Sequence, residues 1–298
     1  MTRPLRSDDL VLCSGTIRRA PFDLTVRAAA DAGFQGISLY FEEYRTARAS
    51  GWSDLDLRTF LDDHGINVAE LDGRMDWLPG DTGAPSTGEF VAAAATLGAR
   101  SITVLEVRGR RVGDTLALGD VASAFASVCD RAADHGLLAH IEYFPQSGVP
   151  DLATAYEIVR AAGRGNGGVM VDSWHHLRGM DAGRFDPGFP GESILAVQLS
   201  DVAPVPSADL AHEMMHHRLL PGTGTGDLAG LVRAVRDRGC TAPIEVEVYS
   251  DELAALDPFL AARRAMHAVR DVLMDSLDSS DQDGLRRRGT RPEGRLPP

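Results

Sequence analysis

Five times along this chain a helix-like stretch runs into a glycine and, within a few residues, into an apolar strand: AAADAGFQGISLYF, FLDDHGINVAELDG, ATLGARSITVLEV, AADHGLLAHIEYF and VRDRGCTAPIEVEV. A glycine just past a helix supplies the left-handed residue that turns the chain back towards a sheet. Gly33, Gly65, Gly98 and Gly136 recur about every 32 to 38 residues, the length of one βα unit. LVLCSGTI, GGVMVDSW and ILAVQLSDV bring the candidate strands to eight. Eight such units fit a closed (β/α)8 barrel better than a doubly wound sheet. The expected architecture is one α/β domain of TIM-barrel type over residues 10–275, with its active site at the C-terminal rim, after an N-terminal extension of residues 1–9. Residues 276–298 are nearly devoid of apolar side chains and read as a disordered tail. The stretch LRGMDAGRFDPGFPGES, after the sixth strand, is so rich in glycine and proline that it leaves room for only a short helix.

In four of these runs a polar group stands where the strand emerges: Glu142 in LLAHIEYFP, Asp172 in GGVMVDSWHH, Gln198 in ILAVQLSDV and Glu247 in PIEVEVYS. A single buried carboxyl is explained almost as well by a satisfied core group as by a ligand. Four in succession, at equivalent strand ends of a parallel barrel, converge on one rim. Three carboxylates and a carboxamide make a hard, oxygen-rich set for one divalent metal ion, Mn²⁺ or Mg²⁺ before zinc, with Co²⁺ admissible. Residues two apart in a strand share a face, so Glu245 lies one layer below Glu247, and Glu247, nearer the rim, is the expected ligand. His175, three residues after Asp172, falls on the loop above that position, placed to act as acid, base or substrate contact. Glu142, His175 and Glu247 are the expected catalytic residues. Arg218, in HHRLLPGTGTGDL, could grip a substrate oxygen with paired donors. His176 and Glu70, the latter in INVAELDG, complete the expected substrate contacts.

Other motifs compete with this reading. AHEMMH contains an HExxH string, His212, Glu213 and His216, the arrangement by which a zinc protease holds its metal on one helix face. The segment is brief and no third ligand follows it, so polar residues at a helix N-terminus over a loop are the expectation. Ser14, Gly15 and Thr16 lack the spacing and lysine of a phosphate loop, and GTGTG at 222–226 follows no strand directly. A formal net charge of -13 opposes a polyanionic partner such as nucleic acid. Three widely spaced cysteines give no disulfide framework and fit a reduced, cytoplasmic setting. The N-terminus has no apolar core of a leader, and no window approaches a membrane span. The expected partner is a small hydroxylated carbonyl compound, with a homo-oligomer admitted.

From about Leu10 to Leu273 the chain resembles the xylose isomerase-like TIM-barrel superfamily, in its sugar phosphate isomerase/epimerase group. IEYFP, VDSWHH, VQLSD, HRLLPGTG and VEVYSDEL carry the likeness. The resemblance implies one divalent metal held by Glu142, Asp172, Gln198 and Glu247. Gln198 stands where a histidine is commoner. It is similar in this to the bacterial 3-dehydroshikimate dehydratases of the same superfamily, which the chain also resembles in DSWH, VQLSD and the SGT near residue 14. The function implied is isomerisation or epimerisation of a sugar-like polyhydroxy carbonyl compound, by proton abstraction next to a metal-polarised carbonyl through an enediolate. A dehydratase of a cyclic hydroxy ketone is the alternative, and a non-catalytic barrel subunit a further one. An endonuclease-like barrel is disfavoured by the charge.

Overall fold

The computed structural model describes residues 3–277 except 74 and 181. Eight parallel strands, β1 (Leu10–Cys13), β2 (Gly36–Tyr40), β3 (Asn67–Asp72), β4 (Ser101–Val104), β5 (Leu138–Glu142), β6 (Gly167–Asp172), β7 (Ile194–Leu199) and β8 (Ile244–Val246), close into a barrel in sequence order. β1 pairs with β8 through Leu10–Ile244, Val11–Glu245 and Leu12–Val246, so no strand edge is left open. The chain is the single TIM barrel that its glycine-punctuated repeat predicts.

Both faces of the strands are covered, but only one is uniformly apolar; the residues that alternate with it include buried Ser38, Glu70, Ser101, Thr103, His140 and Glu245. Val11, Ile37, Leu71, Ile102, Ile141, Val171, Val197 and Val246 have no exposed surface. The amphipathic helix Phe22–Ala32 packs against the long last helix Pro258–Ser276, which seals the barrel where first and last strands meet. The four spaced glycines have φ of 87°, 68°, 64° and 71° at Gly33, Gly65, Gly98 and Gly136. Each helix thus ends in the left-handed turn the sequence calls for.

After β6 the chain makes only the six-residue helix Ser173–Arg178 before a 3-10 turn at Gly191–Ser193, as the glycine- and proline-rich stretch requires. The last helix runs through Ser276, and the remainder of the expected tail, from 278, lies outside the described residues. Among the described residues no helix is long and apolar enough to cross a membrane.

Candidate active site at the C-terminal rim

Glu142 and Asp172 are the last residues of β5 and β6, Gln198 is the penultimate residue of β7, and Glu247 follows the last residue of β8. Asp172 is in register with Gln198, and Gln198 with Glu245. All four rim residues are buried. Asp172 also caps the helix that follows it, accepting from the backbone N–H of His175 at 3.0 Å. That cap fixes the first turn and carries His175 back over the barrel mouth, where its Nε2 lies 3.2 Å from Glu142 Oε1. One ligand atom from each of Glu142, Asp172 and His175 falls within 4.8 Å of the other two.

Arg218 enters the same group from the segment after β7. Its Nη1 donates to Asp172 Oδ2 at 2.6 Å and to Glu247 Oε2 at 3.1 Å. The guanidinium lies 5.5 Å from the Trp174 ring centre and 5.2 Å from that of Tyr249. These faces and carboxylates desolvate it without leaving it unpaired. Gln198 turns its Nε2 towards Glu70 Oε1 at 3.1 Å and Glu247 Oε1 at 3.5 Å. Its Oε1 is buried and has no hydrogen-bond partner among the described residues.

The electrostatics follow from crowding. Burial, then the charge of Asp172, pushes the Glu142 carboxyl up to about 8. Burial raises Glu247 to about 8 too, with Arg218 opposing and Asp172 and Glu142 adding to the rise. Asp172 goes the other way: burial alone would raise it, but the charges of Arg218 and His175 and the hydrogen bonds it accepts hold it below its ordinary value. Burial lowers His175 to about 4, so its ring is neutral at pH 7. Asp72, the last residue of β3, is buried at the rim as well; beneath it Glu70 and Glu245 are buried, and Glu245 is raised to about 8 by its burial. So much carboxylate around one guanidinium, with an amide oxygen and the His175 Nδ1 left unbonded, fits the donor set of a hard divalent cation.

Glu142, Asp172, His175, Gln198, Arg218 and Glu247 are brought together, with Glu70 beneath Gln198. His176 packs elsewhere, among aromatic side chains: Tyr143 Oη is 2.9 Å from its Nδ1 and the Phe185 ring centre 4.6 Å from its own. The HExxH string forms the helix Leu210–His216, but Glu213 is buried in an ion pair with Arg178 at 2.6 Å and accepts from the Ser207 N–H at 2.6 Å. A glutamate so occupied is no general base beside a zinc ion.

Three site neighbours went unread in the sequence. Tyr40 Oη donates to Glu247 Oε1 at 2.8 Å, Cys13 Sγ lies 3.2 Å from the same oxygen, and the Tyr249 hydroxyl donates to that of Tyr40. Tyr249 stands two residues past Glu247, the spacing that marks a shared face, and that was the available signal.

The family model of the xylose isomerase-like TIM barrel matches residues 26–272. The chain belongs to this family. Within it, the chain is similar to the 3-dehydroshikimate dehydratase of Pseudomonas aeruginosa, 37% identical over 101 residues, which are 34% of this chain and 16% of that protein. It is also similar to the inosose isomerase of Bacillus subtilis, 26% identical over 188 residues, 62% of this chain and 63% of that protein. The matches thus span less than two thirds of either relative. Among solved structures, the IolI protein with a binding zinc atom superposes with a TM-score of 0.79 at 20% identity, covering 91% of this chain and 99% of that one. The probable 3-DHS dehydratase AsbF of Bacillus anthracis superposes with a TM-score of 0.67 at 14% identity, covering 88% and 98%. At these identities the likeness is one of fold.

Proposed function

We propose that this chain is a divalent-cation-dependent isomerase or epimerase of sugar-like polyhydroxy carbonyl compounds, acting by proton transfer at the carbon beside the carbonyl. The observation that carries the reading is the convergence of Glu142, Asp172, Gln198 and Glu247 at four successive strand ends, with the Gln198 oxygen unbonded. These four would hold the cation, Mn²⁺ or Mg²⁺ by the hardness of their oxygens. When bound, the cation supplies Lewis-acid polarisation of the substrate's carbonyl and neighbouring oxygen.

The remaining work falls to side chains. Arg218 has Nη1 on Asp172 and Glu247 and Nε on the Met214 carbonyl, so Nη2, 3.4 Å from His175 Nε2, is the donor it can turn to a substrate oxygen. His175 is neutral, buried, and free at Nδ1 to accept a proton. Glu142 and Glu247 approach from different strands with carboxyls raised towards neutrality, so one can take a proton while the other returns one. Tyr40 and Tyr249 form a hydroxyl chain from Glu247 towards the half-buried edge of the site.

A dehydration that shares this first step is favoured by Gln198 and by the stretch 37% identical to a dehydratase. There His175 would take the proton from the carbon beside the carbonyl and pass it to the departing hydroxyl, which leaves as water. Inosose and 3-dehydroshikimate are both six-membered rings bearing a ketone among hydroxyls, which points to a cyclic hydroxy ketone as substrate. The experiment is to strip the protein of metal, restore Mn²⁺, Mg²⁺ or Co²⁺, and follow such ketones by NMR in D₂O. Deuterium entering beside the carbonyl with retention of all hydroxyls supports isomerisation or epimerisation. Loss of a hydroxyl supports dehydration, and no exchange with any ketone overturns both. Glu142→Gln and Asp172→Asn should lose stoichiometric Mn²⁺ by elemental analysis; full occupancy in both would remove the metal site.

A further inference from the structure

Gln198 differs from its neighbours at the rim in one respect. A carboxylate offers oxygen at either end, but an amide offers oxygen at one end and a donor at the other. For Gln198 to serve a cation, something must decide which end faces it. Its Nε2 lies 3.1 Å from Glu70 Oε1 and 3.5 Å from Glu247 Oε1. With these acids ionised, as a bound cation favours, the turned-over amide would set its oxygen against two carboxylate oxygens. As it stands, Oε1 is the end left without a partner.

Glu70 lies deep in the barrel with no exposed surface, its Oε2 3.1 Å from His140 Nε2 but without a hydrogen bond among the described residues. The same His140 nitrogen is 3.1 Å from Ser101 Oγ, whose hydroxyl donates to the Ala69 carbonyl at 3.0 Å. A fully buried carboxyl that projects from β3 into the interior, beside His140 of β5, and bonds Gln198 of β7 is poorly placed to meet a substrate that enters from the rim. It is well placed to orient the side chain between itself and the rim.

We infer that Glu70 is a positioning residue which fixes the Gln198 amide with its oxygen turned to the cation, and not the substrate contact that the sequence predicts. The inference rests on the proposed metal site, yet its failure is separable from that of the site. Outer-shell partners of this kind change metal affinity by about 10- to 100-fold.

The test is Mn²⁺ titration of metal-free protein, read by electron paramagnetic resonance and calorimetry, with far-UV circular dichroism to establish folding. Glu70→Leu should weaken Mn²⁺ binding about tenfold or more, close to the loss in Gln198→Leu. Glu70→Gln, which keeps an acceptor for the Gln198 NH₂, should recover much of that loss. In the double variant Glu70→Leu/Gln198→Leu the two losses should not add, because the orienting group has nothing left to orient. If Glu70→Leu does not fold, Glu70→Asp, which withdraws the acceptor by one methylene, takes its place in the same cycle. Wild-type Mn²⁺ affinity with a raised KM for the ketone would make Glu70 a substrate contact and overturn the inference. So would strict additivity in the double variant. If Glu142→Gln and Asp172→Asn retain full metal, the cation site itself fails, a result visible before Glu70 is changed.

Discussion

His175 is where the chemistry of the rim narrows to one atom. Its Nε2 faces Glu142 and its ring packs edge-on against Trp174 at 5.4 Å, which leaves Nδ1 for exchange with a ligand. His175→Ala should lower turnover by about 10²-fold, the usual scale for losing a positioned acid or base, with Mn²⁺ content kept by the four strand-end residues. Metal loss on that substitution would move His175 into the ligand set instead. At this scale the sequence was legible in placement, for Glu142, Asp172, Gln198 and Glu247 converge at strand ends as their position in the apolar runs predicts. It was misleading at His176, because adjacent helical residues point about 100° apart and a neighbour in sequence is not one in space. It was silent at Cys13 and Tyr40, whose meeting with Glu247 depends on barrel closure across 234 and 207 positions of chain. No local pattern encodes such a meeting.

Elements carry the same lesson in the connections. The helix Leu210–His216 matches a protease motif letter for letter, yet its meaning is set by a partner on another element, Arg178. Arg178→Leu leaves Glu213 buried and unpaired and should cost about 3–5 kcal/mol of stability, seen as a lowered denaturant midpoint. His212→Ala and His216→Ala should alter turnover only within a few-fold and leave metal content intact; their rings lie 4.5 Å apart, and His216 bonds Asp251 at 3.2 Å. Past β4, buried Glu106 gathers the backbone N–H groups of Arg108, Arg110 and Gly148 at 3.1, 3.2 and 2.9 Å. A Cβ on Gly148 would stand 2.1 Å from the Arg110 carbonyl oxygen. Gly148→Ala should therefore open this loop, lowering thermal stability and raising proteolysis between residues 106 and 112. Helices and their glycine caps were readable because the repeat is local. The Glu106 clasp was not, since it ties together loops 42 residues apart.

For the whole molecule, the buried acids set how stability depends on pH. Glu142, Glu245 and Glu247 have carboxyls raised to about 8 in the fold against 4.5 as the ordinary value. The folded protein thus holds protons that the unfolded chain releases. In the metal-free state the stability this lends is full below about pH 4.5 and is lost as the pH climbs through about 8. His175, lowered from 6.5 to about 4, runs oppositely, and its share is lost as the pH falls through that interval. Metal-free protein should melt progressively lower from pH 5.5 to 8.5, and saturating Mn²⁺ should flatten the trend by favouring the ionised carboxylates. A melting temperature independent of pH without metal would contradict the arrangement. The barrel was legible at this scale because five of its eight strands follow a helix that ends on glycine; its charge balance was not, since that depends on which carboxyls end up facing one interior. The seam between β1 and β8 also has a bearing on biosynthesis. The first strand made must wait for Ile244–Val246, the last, and three of the four rim donors, Asp172, Gln198 and Glu247, lie in the second half of the chain. A ribosome that stalls before residue 244 would therefore release a chain with unpaired strand edges and an incomplete site, a species open to edge-to-edge association and to quality control.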